Sequence, residues 1–375
     1  MRFTPAVILI ATLGSALAAQ PAPRPLGPTV GTYGLNAWGT SLHELSDGRV
    51  LVVDSLTRLV LLDSSLHFVR VVIDSIPSQL RTPASRTGSL IPTPDGGALY
   101  VDGKRNMFAV IDAKGDVESE GHPLPRPDVT LFRWLWGGRT AADPAGRLIY
   151  AHYPTRGPIN FAFGDTAFLI AVDPFAPAYG DPQALPAKRI VALYEPRVTD
   201  SGALRPVQTN DAWAVVPRGI VILRAESNRA ELRTFDGDSV FARPIDVPRI
   251  ALSIEEKKRL VDSTQFRVRQ AAETLRTAPH ESVITNVQTP ERLPDVRPSY
   301  WMNSLVAGAN GTVWFIENRP YHMNDSTVAQ AIDPGSGLAT VDRVLIPPRM
   351  KILAFGKDAV YLWRPFGELT KVRIK

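Results

Sequence analysis

The chain has 375 residues, with 42 Lys and Arg against 37 Asp and Glu, a formal charge of +5 and no cysteine. The missing thiols exclude disulfides, thiolate metal sites, a catalytic cysteine and the acylated cysteine of a lipoprotein. The mild basic excess favours anionic partners slightly, but there are no Lys/Arg blocks or base-reading motifs, so no nucleic-acid binding is expected.

Met1 to Ala19 reads as a secretory signal peptide. Arg2 supplies the basic start, Pro5 to Leu13 the apolar run, and Ala16-Leu17-Ala18 the small-residue site, with cleavage near Ala18 or Ala19. Export to the periplasm or the medium follows. The alternative, an uncleaved anchor, needs about 20 apolar residues to span a bilayer, and this run is shorter. No second long apolar segment follows, so no transmembrane segment is expected after cleavage. Residues 20–28, Pro/Ala-rich, read as a disordered leader.

From there one phrase recurs. Asp47-Gly48-Arg49 precedes the apolar run Val50 to Val53, a polar turn, and Leu59 to Leu62 closed by Asp63. Asp95-Gly96-Gly97, Ala98 to Asp102 and Met107 to Asp112 repeat it. Asp-Gly between apolar runs signals a tight hairpin. A hairpin unit returning at a near-fixed interval signals a repeat architecture. Further units turn at Ala145-Gly146, Arg218-Gly219, Asn310-Gly311 and Lys357-Asp358. Each reads as four strands, giving six units over residues 29–375. The last is one strand short, and Thr29 to Tyr33 is available to complete it and remove an open edge.

The period breaks once, over 253–277. Ser253 with Glu256 is a capping box, and the run to about Arg276 lacks Gly and Pro. Leu260, Val261, Val268, Ala271, Ala272 and Leu275 share one helical face. Counted from the unit at Ser41, the helix lies between units four and five. It is either packed on the scaffold or a lid over a site.

The Asp-Gly-x-Val-x-Val-Asp phrasing, with Asn or Arg before the third strand and Val-x-x-Asp after it, resembles the NHL, SMP-30 and TolB-like superfamily. It is most similar to that superfamily's exported bacterial members. The resemblance implies an all-β fold: a six-bladed β-propeller with an inserted helix between blades four and five. In such folds the loops entering each innermost strand, and those joining second to third strands, build the ligand face. Here these loops carry His152, Arg139, Asn210, Asp211, Trp301, Asn303 and Glu317, with Arg58, Arg105, Asn228, Arg229 and Arg364. Arginine forks suit carboxylate or phosphate, and indoles suit sugar or aromatic rings. A small anionic or carbohydrate-like ligand, or an envelope protein partner, is therefore expected at the central face.

Arg58, Arg105, Asn228 and Arg229 recur in the polar turn before the third strand, where fixing the turn is role enough. Asp63, Asp112, Asp173, Asp236 and Asp333 recur at third-strand ends and read as turn caps. SMP-30-type relatives hydrolyse lactones with one divalent metal held by Glu, Asn and Asp. Asn210, Asp211, Asn303 and Glu317 imitate that set, but its first-blade glutamate has no counterpart, since Glu44 lies towards the turn end of its strand. Two functional readings stand: a binding scaffold without assigned catalysis, and a metal-dependent lactonase-like hydrolase. Nucleophile-elbow, phosphate-loop, dinucleotide and zincin motifs are absent, and nothing in the sequence names a cofactor.

Overall fold

The computed structural model describes residues 21–35, 41–54, 58–74, 88–102, 107–123, 140–152, 166–175, 188–194, 203, 205–207, 210–245, 249–275, 286–298, 305–316, 326–364 and 367–374. In chain order the first strands are β1 (Arg24–Pro25), β2 (Thr29–Gly34), β3 (Leu42–Glu44), β4 (Val50–Val53), β5 (Leu59–Leu62) and β6 (Phe68–Ile73). Then come β7 (Gly88–Pro92), β8 (Ala98–Asp102), β9 (Met107–Ile111), β10 (Val117–Pro123), β11 (Thr140–Ala142), β12 (Leu148–His152), β13 (Thr166–Val172) and β14 (Lys188–Tyr194). β15 (Ala212–Val216), β16 (Gly219–Arg224), β17 (Arg229–Arg233) and β18 (Ser239–Pro244) precede an insertion made of β19 (Arg249–Ala251), α1 (Ile254–Leu275) and β20 (Val296–Pro298). The chain ends through β21 (Leu305–Ala307), β22 (Val313–Ile316), β23 (Thr327–Asp333), β24 (Ala339–Ile346), β25 (Lys351–Phe355), β26 (Ala359–Trp363) and β27 (Glu368–Arg373).

These strands form six antiparallel blades: β25-β26-β27-β2, β3 to β6, β7 to β10, β11 to β14, β15 to β18, and β21 to β24 with β1 added in parallel at its edge. The innermost strands β25, β3, β7, β11, β15 and β21 neighbour one another in that order, and β21 returns to β25. The protein is a closed six-bladed propeller. Both faces of a blade are apolar, as with Val50 to Val53 and Leu59 to Leu62, all buried. Each blade is therefore covered only by its neighbours. Among the described residues the core is accordingly one cluster at each of the six joints, with a seventh in the insertion. Leu42, Val60, Tyr361 and Leu369 fill the joint between β25-β27 and β3-β6, and Leu305, Phe315, Val221 and Leu232 fill that between β15-β18 and β21-β24.

β2 pairs antiparallel with β27, from Thr29↔Val372 to Gly34↔Glu368, so the two ends of the chain complete one blade. That blade is blade 1 here, because the chain's first full strand lies in it, and the others follow as blades 2 to 6. By this count the helix lies between blades 5 and 6, not four and five as the count from Ser41 has it; the same two sheets flank it. A second difference concerns the segment read as a disordered leader. Arg24 and Pro25 pair with Val344 and Leu345, and the Gly27 amide donates to the Arg373 carbonyl at 2.8 Å. Proline-rich composition signalled disorder, yet a parallel edge partner and a salt bridge hold the segment.

The recurring aspartates are turn chemistry. Asp63 Oδ1 accepts from the Ser65 and His67 amides, Asp112 Oδ1 from those of Lys114 and Asp116, and Asp173 and Asp333 accept from Phe175 and Gly335. Asp236 departs from the pattern. In its turn Thr234 Oγ1 accepts from the amides of 236 and 238, and Asp236 instead pairs with Lys188 of blade 4.

That turn is pressed against blade 4. Gly237 has φ +96°, and a Cβ there would fall inside the Ile190 carbonyl oxygen. Gly146 has a similar φ of +80° but opens onto free space. Gly146→Ala should therefore lose only the left-handed backbone cost, about 1–2 kcal/mol, and Gly237→Ala distinctly more in urea unfolding. Equal losses would show that the turn is not held by its neighbour.

Candidate functional site

Hairpins joining innermost to second strands lie on one face of the ring. The crossover loops and the second-to-third-strand loops lie on the other, and this is the mouth. The ionisable residues of the innermost strands are His43, Glu44 and Lys351. His43 Nε2 lies 3.2 Å from the Gly96 carbonyl, and burial lowers its pKa. Glu44 Oε2 accepts from the Lys357 amide at 3.2 Å, and Oε1 lies 3.4 Å from Lys371 Nζ, both at the hairpin face. Glu44 is thus a joint residue on the side away from the mouth. Apart from these three residues the innermost strands carry no ionisable side chain, and recognition of a charged ligand falls to the loops and to Lys351 at the mouth end of β25.

Asn210 and Asp211 lie on the mouth side, 4% and 2% exposed, where the crossover from blade 4 enters β15. Asp211 Oδ2 accepts from the Tyr194 amide at 3.0 Å and from Arg224 Nη1 at 2.7 Å, and Oδ1 accepts from the Ala225 amide at 3.0 Å. The Asp211 amide donates back to the Tyr194 carbonyl. Arg224 Nη1 also donates to the Ala192 carbonyl, and Nη2 to Glu231, which further accepts from Arg233. Burial works against ionisation of Glu231, but hydrogen bonds from Arg224 and Arg233 outweigh it and hold the carboxyl below its ordinary range. Asp211 is therefore a latch. It ties the end of β14 to the start of β15 across the whole crossover.

This bears on the metal expected from the SMP-30 resemblance. A ligand carboxylate must offer an oxygen to the ion, and both Asp211 oxygens already accept charged or backbone donors. Asp211 does not fit that role. Asn303 and Glu317, with Arg139 and Trp301, lie outside the described residues. His152 ends β12 opposite Phe168 in the backbone register. Among the described residues no three His, Asp or Glu side chains group closely enough to hold a metal. The structure thus places Asn210 and Asp211 together at the mouth.

Arg58 also holds a turn, its amide and guanidinium binding both oxygens of Asp54. Asn228 adopts φ +50° in the corresponding turn of blade 5. Sequence reading missed the partners of Asp211, although Arg229, Glu231 and Arg233 alternate in charge at the period of one strand face. At the mouth of blade 1 it named Arg364 but missed Arg349 and Lys351. Arg349 and Lys351 enter the innermost strand and Arg364 follows the second, all three exposed. Lys351 Nζ lies 5.7 Å from the Trp363 ring centroid.

The insertion sits on this same face. Val207 of the blade 4–5 crossover packs with Leu252, Leu260, Val261 and Leu293, and Arg249 reaches the Glu226 carbonyl in the second-to-third-strand turn of blade 5. The capping box forms reciprocally, Glu256 amide to Ser253 Oγ and Ser253 amide to Glu256 Oε2. Buried Lys257 donates to the Leu293 carbonyl and to Asp295. Beyond Val261 no described side chain of α1 is buried, and Phe266 is 61% exposed.

No protein-family model matches the chain, and no curated protein matches its sequence. Solved structures of similar shape include virginiamycin B lyase from Staphylococcus aureus, with a TM-score of 0.39, 11% identity, and 92% of this chain and 99% of that chain covered. A gluconolactonase from Xanthomonas campestris aligns with a TM-score of 0.38 and 10% identity over 94% and 99% of the two chains. Regucalcin from Agrobacterium tumefaciens, described as a calcium-binding protein, gives 0.40 and 11% over 95% and 97%. At this level of similarity the propeller assignment rests on the chain's own sheet order.

Asp211→Ala should cost about 1–3 kcal/mol, because it leaves the Tyr194 and Ala225 amides without their acceptor, while half-buried Arg224 keeps Glu231. A loss under about 1 kcal/mol would remove the latch. Glu231 adds a pH signature. A carboxyl with a folded pKa below its ordinary 4.5 contributes stability above that value, and the contribution fades as pH falls through the lower folded value. The stability difference between wild type and Glu231→Gln should therefore be largest near neutral pH and shrink below about pH 4. A pH-independent difference would contradict it.

Proposed function

We propose that this is an exported propeller scaffold that binds a small anionic or carbohydrate-like ligand, or an envelope protein partner bearing such groups, at the mouth. The basic group Arg349, Lys351 and Arg364 beside Trp363 carries this reading, set against innermost strands whose other ionisable residues are His43 and Glu44 alone. Exposed cations at a mouth attract carboxylate or phosphate, and a guanidinium can grip either in two-point fashion. Lactonase-like hydrolysis has less support, since Asp211, one of its four presumptive ligands, is engaged by Arg224 and two amides. The insertion contacts blade 5 at the mouth and is placed to take part in binding, with its distal helix as a cover.

Titration calorimetry with polycarboxylates, sugar acids and sugar phosphates should find binding that weakens as salt rises. Replacing Lys351 and Arg364 together by Glu should weaken it by about tenfold or more, at roughly 1 kcal/mol for each exposed charge reversed. Unchanged affinity after both reversals would remove the basic mouth as the site. Deleting residues 255–275 should alter ligand affinity more than the urea midpoint; the opposite pattern would make the helix scaffold only.

A further inference from the structure

Five of the six joints between blades share one device. The outermost strand of each blade meets the turn between third and fourth strands of the next. Leu35 and Tyr33, at the end of β2, pack with Leu66 of the blade 2 turn. Arg70 of β6 reaches the Gly115 carbonyl and Asp116. His122 of β10 stacks edge-on against Phe175 at 5.5 Å. Lys188 of β14 pairs with Asp236, and Arg243 of β18 reaches the Gly337 carbonyl. The sixth joint, from β24 to blade 1, has no such turn, because the third strand of blade 1 is β27 and its fourth is β2. Residues 27 and 28, leading into β2, lie beside Arg373 at the end of β27, where the turn would be.

Residues 21–28 fill that place. β1 pairs in parallel with Val344 and Leu345 of β24. Arg24 grips Asp342 with two donors, Nε to Oδ1 at 3.0 Å and Nη2 to Oδ2 at 2.5 Å. Leu26 packs in the blade 6–blade 1 cluster with Val344, Ile346 and Val372. The Gly27 amide bonds the Arg373 carbonyl, the Arg373 amide bonds the Pro28 carbonyl, and Arg343 reaches the Pro21 carbonyl. We infer that the outer edge of β24 is a strand-acceptor site for an extended Arg-Pro-Leu segment, and that residues 21–28 occupy it as the strap that closes the ring. The chemistry suits an edge. Proline at 25 lacks the amide that a flanking strand would need, so the strap ends the sheet and presents no new template.

Hydrogen exchange on the full chain tests this. In Arg24→Ala, and separately in Asp342→Ala, the outward-facing amides of residues 342–346 should exchange about tenfold faster or more, the scale of a lost charged hydrogen-bond pair. The double variant should add little to either single one, because the two residues form one contact. The exposed pair Arg49–Asp47 is the control, and Arg49→Ala should leave β24 protection unchanged. In a chain carrying Arg24→Ala and Leu26→Asp, adding the hexapeptide Pro-Ala-Pro-Arg-Pro-Leu should restore protection at β24, and the same peptide with alanine for arginine should not. If the double substitution does not fold, Asp342→Ala alone reads the same joint. Unchanged exchange at β24 in that variant overturns the proposal, as does equal restoration by both peptides.

Discussion

Ring closure is the constraint on which the rest depends. Each blade has two apolar faces and no covering layer of its own, so every face is buried against another blade or not at all. An open row of blades would leave two such faces exposed at its ends, and a closed ring leaves none. The six clusters, one per joint, are the packing record of that closure. Antiparallel pairing of β2 with β27 binds it, and the Glu44–Lys371 contact crosses the joint from the closing blade to the next. Beneath that contact lies the fully buried Tyr361, whose phenol burial and the nearby Glu44 push far above its ordinary pKa, so it stays protonated.

The same constraint separates structural from functional polarity. Polar groups at the joints answer to their neighbours: Asp211 to Arg224 and Tyr194, Arg70 to Asp116, Lys188 to Asp236. Asp211 is buried, where an unpaired charge is costly, whereas the other two pairs are exposed. At the mouth of blade 1, by contrast, Arg349, Lys351 and Arg364 are exposed. A residue that stands out in sequence can thus belong to either class, and Asp211 shows how a residue at a loop end serves the frame.

Much of the fold was legible because its signals are local. Asp-Gly and Asn-Gly turns need positive φ, strand runs need apolar residues, and Ser253 with Glu256 needs only four residues to cap a helix. Gly48, Gly96 and Gly311 all adopt the expected positive φ. The capping aspartates were equally plain, but Thr234 shows that a hydroxyl two residues earlier can do the same work and free Asp236 for a neighbour. What escaped depends on distant residues. Nothing in Pro21 to Pro28 announces a partner more than 300 residues away in β24, and composition alone pointed to disorder. The candidate site was legible as polar residues in loops, but not which of them a latch would claim, because Arg224 meets Asp211 only when β16 folds back on β15, and Tyr194 only once two blades stand side by side.

The shared blade also sets an order of events in time. Five blades are built from neighbouring segments and can form as the chain lengthens. Blade 1 cannot, because β2 near the start must wait for β27 near the end. Loop-closure entropy rises only slowly with length, but pairing across nearly the whole chain slows folding. A chain interrupted anywhere before Glu368 would hold β2 without a partner and two blade faces without cover. Only once β27 is made can β2, and with it the whole ring, become native.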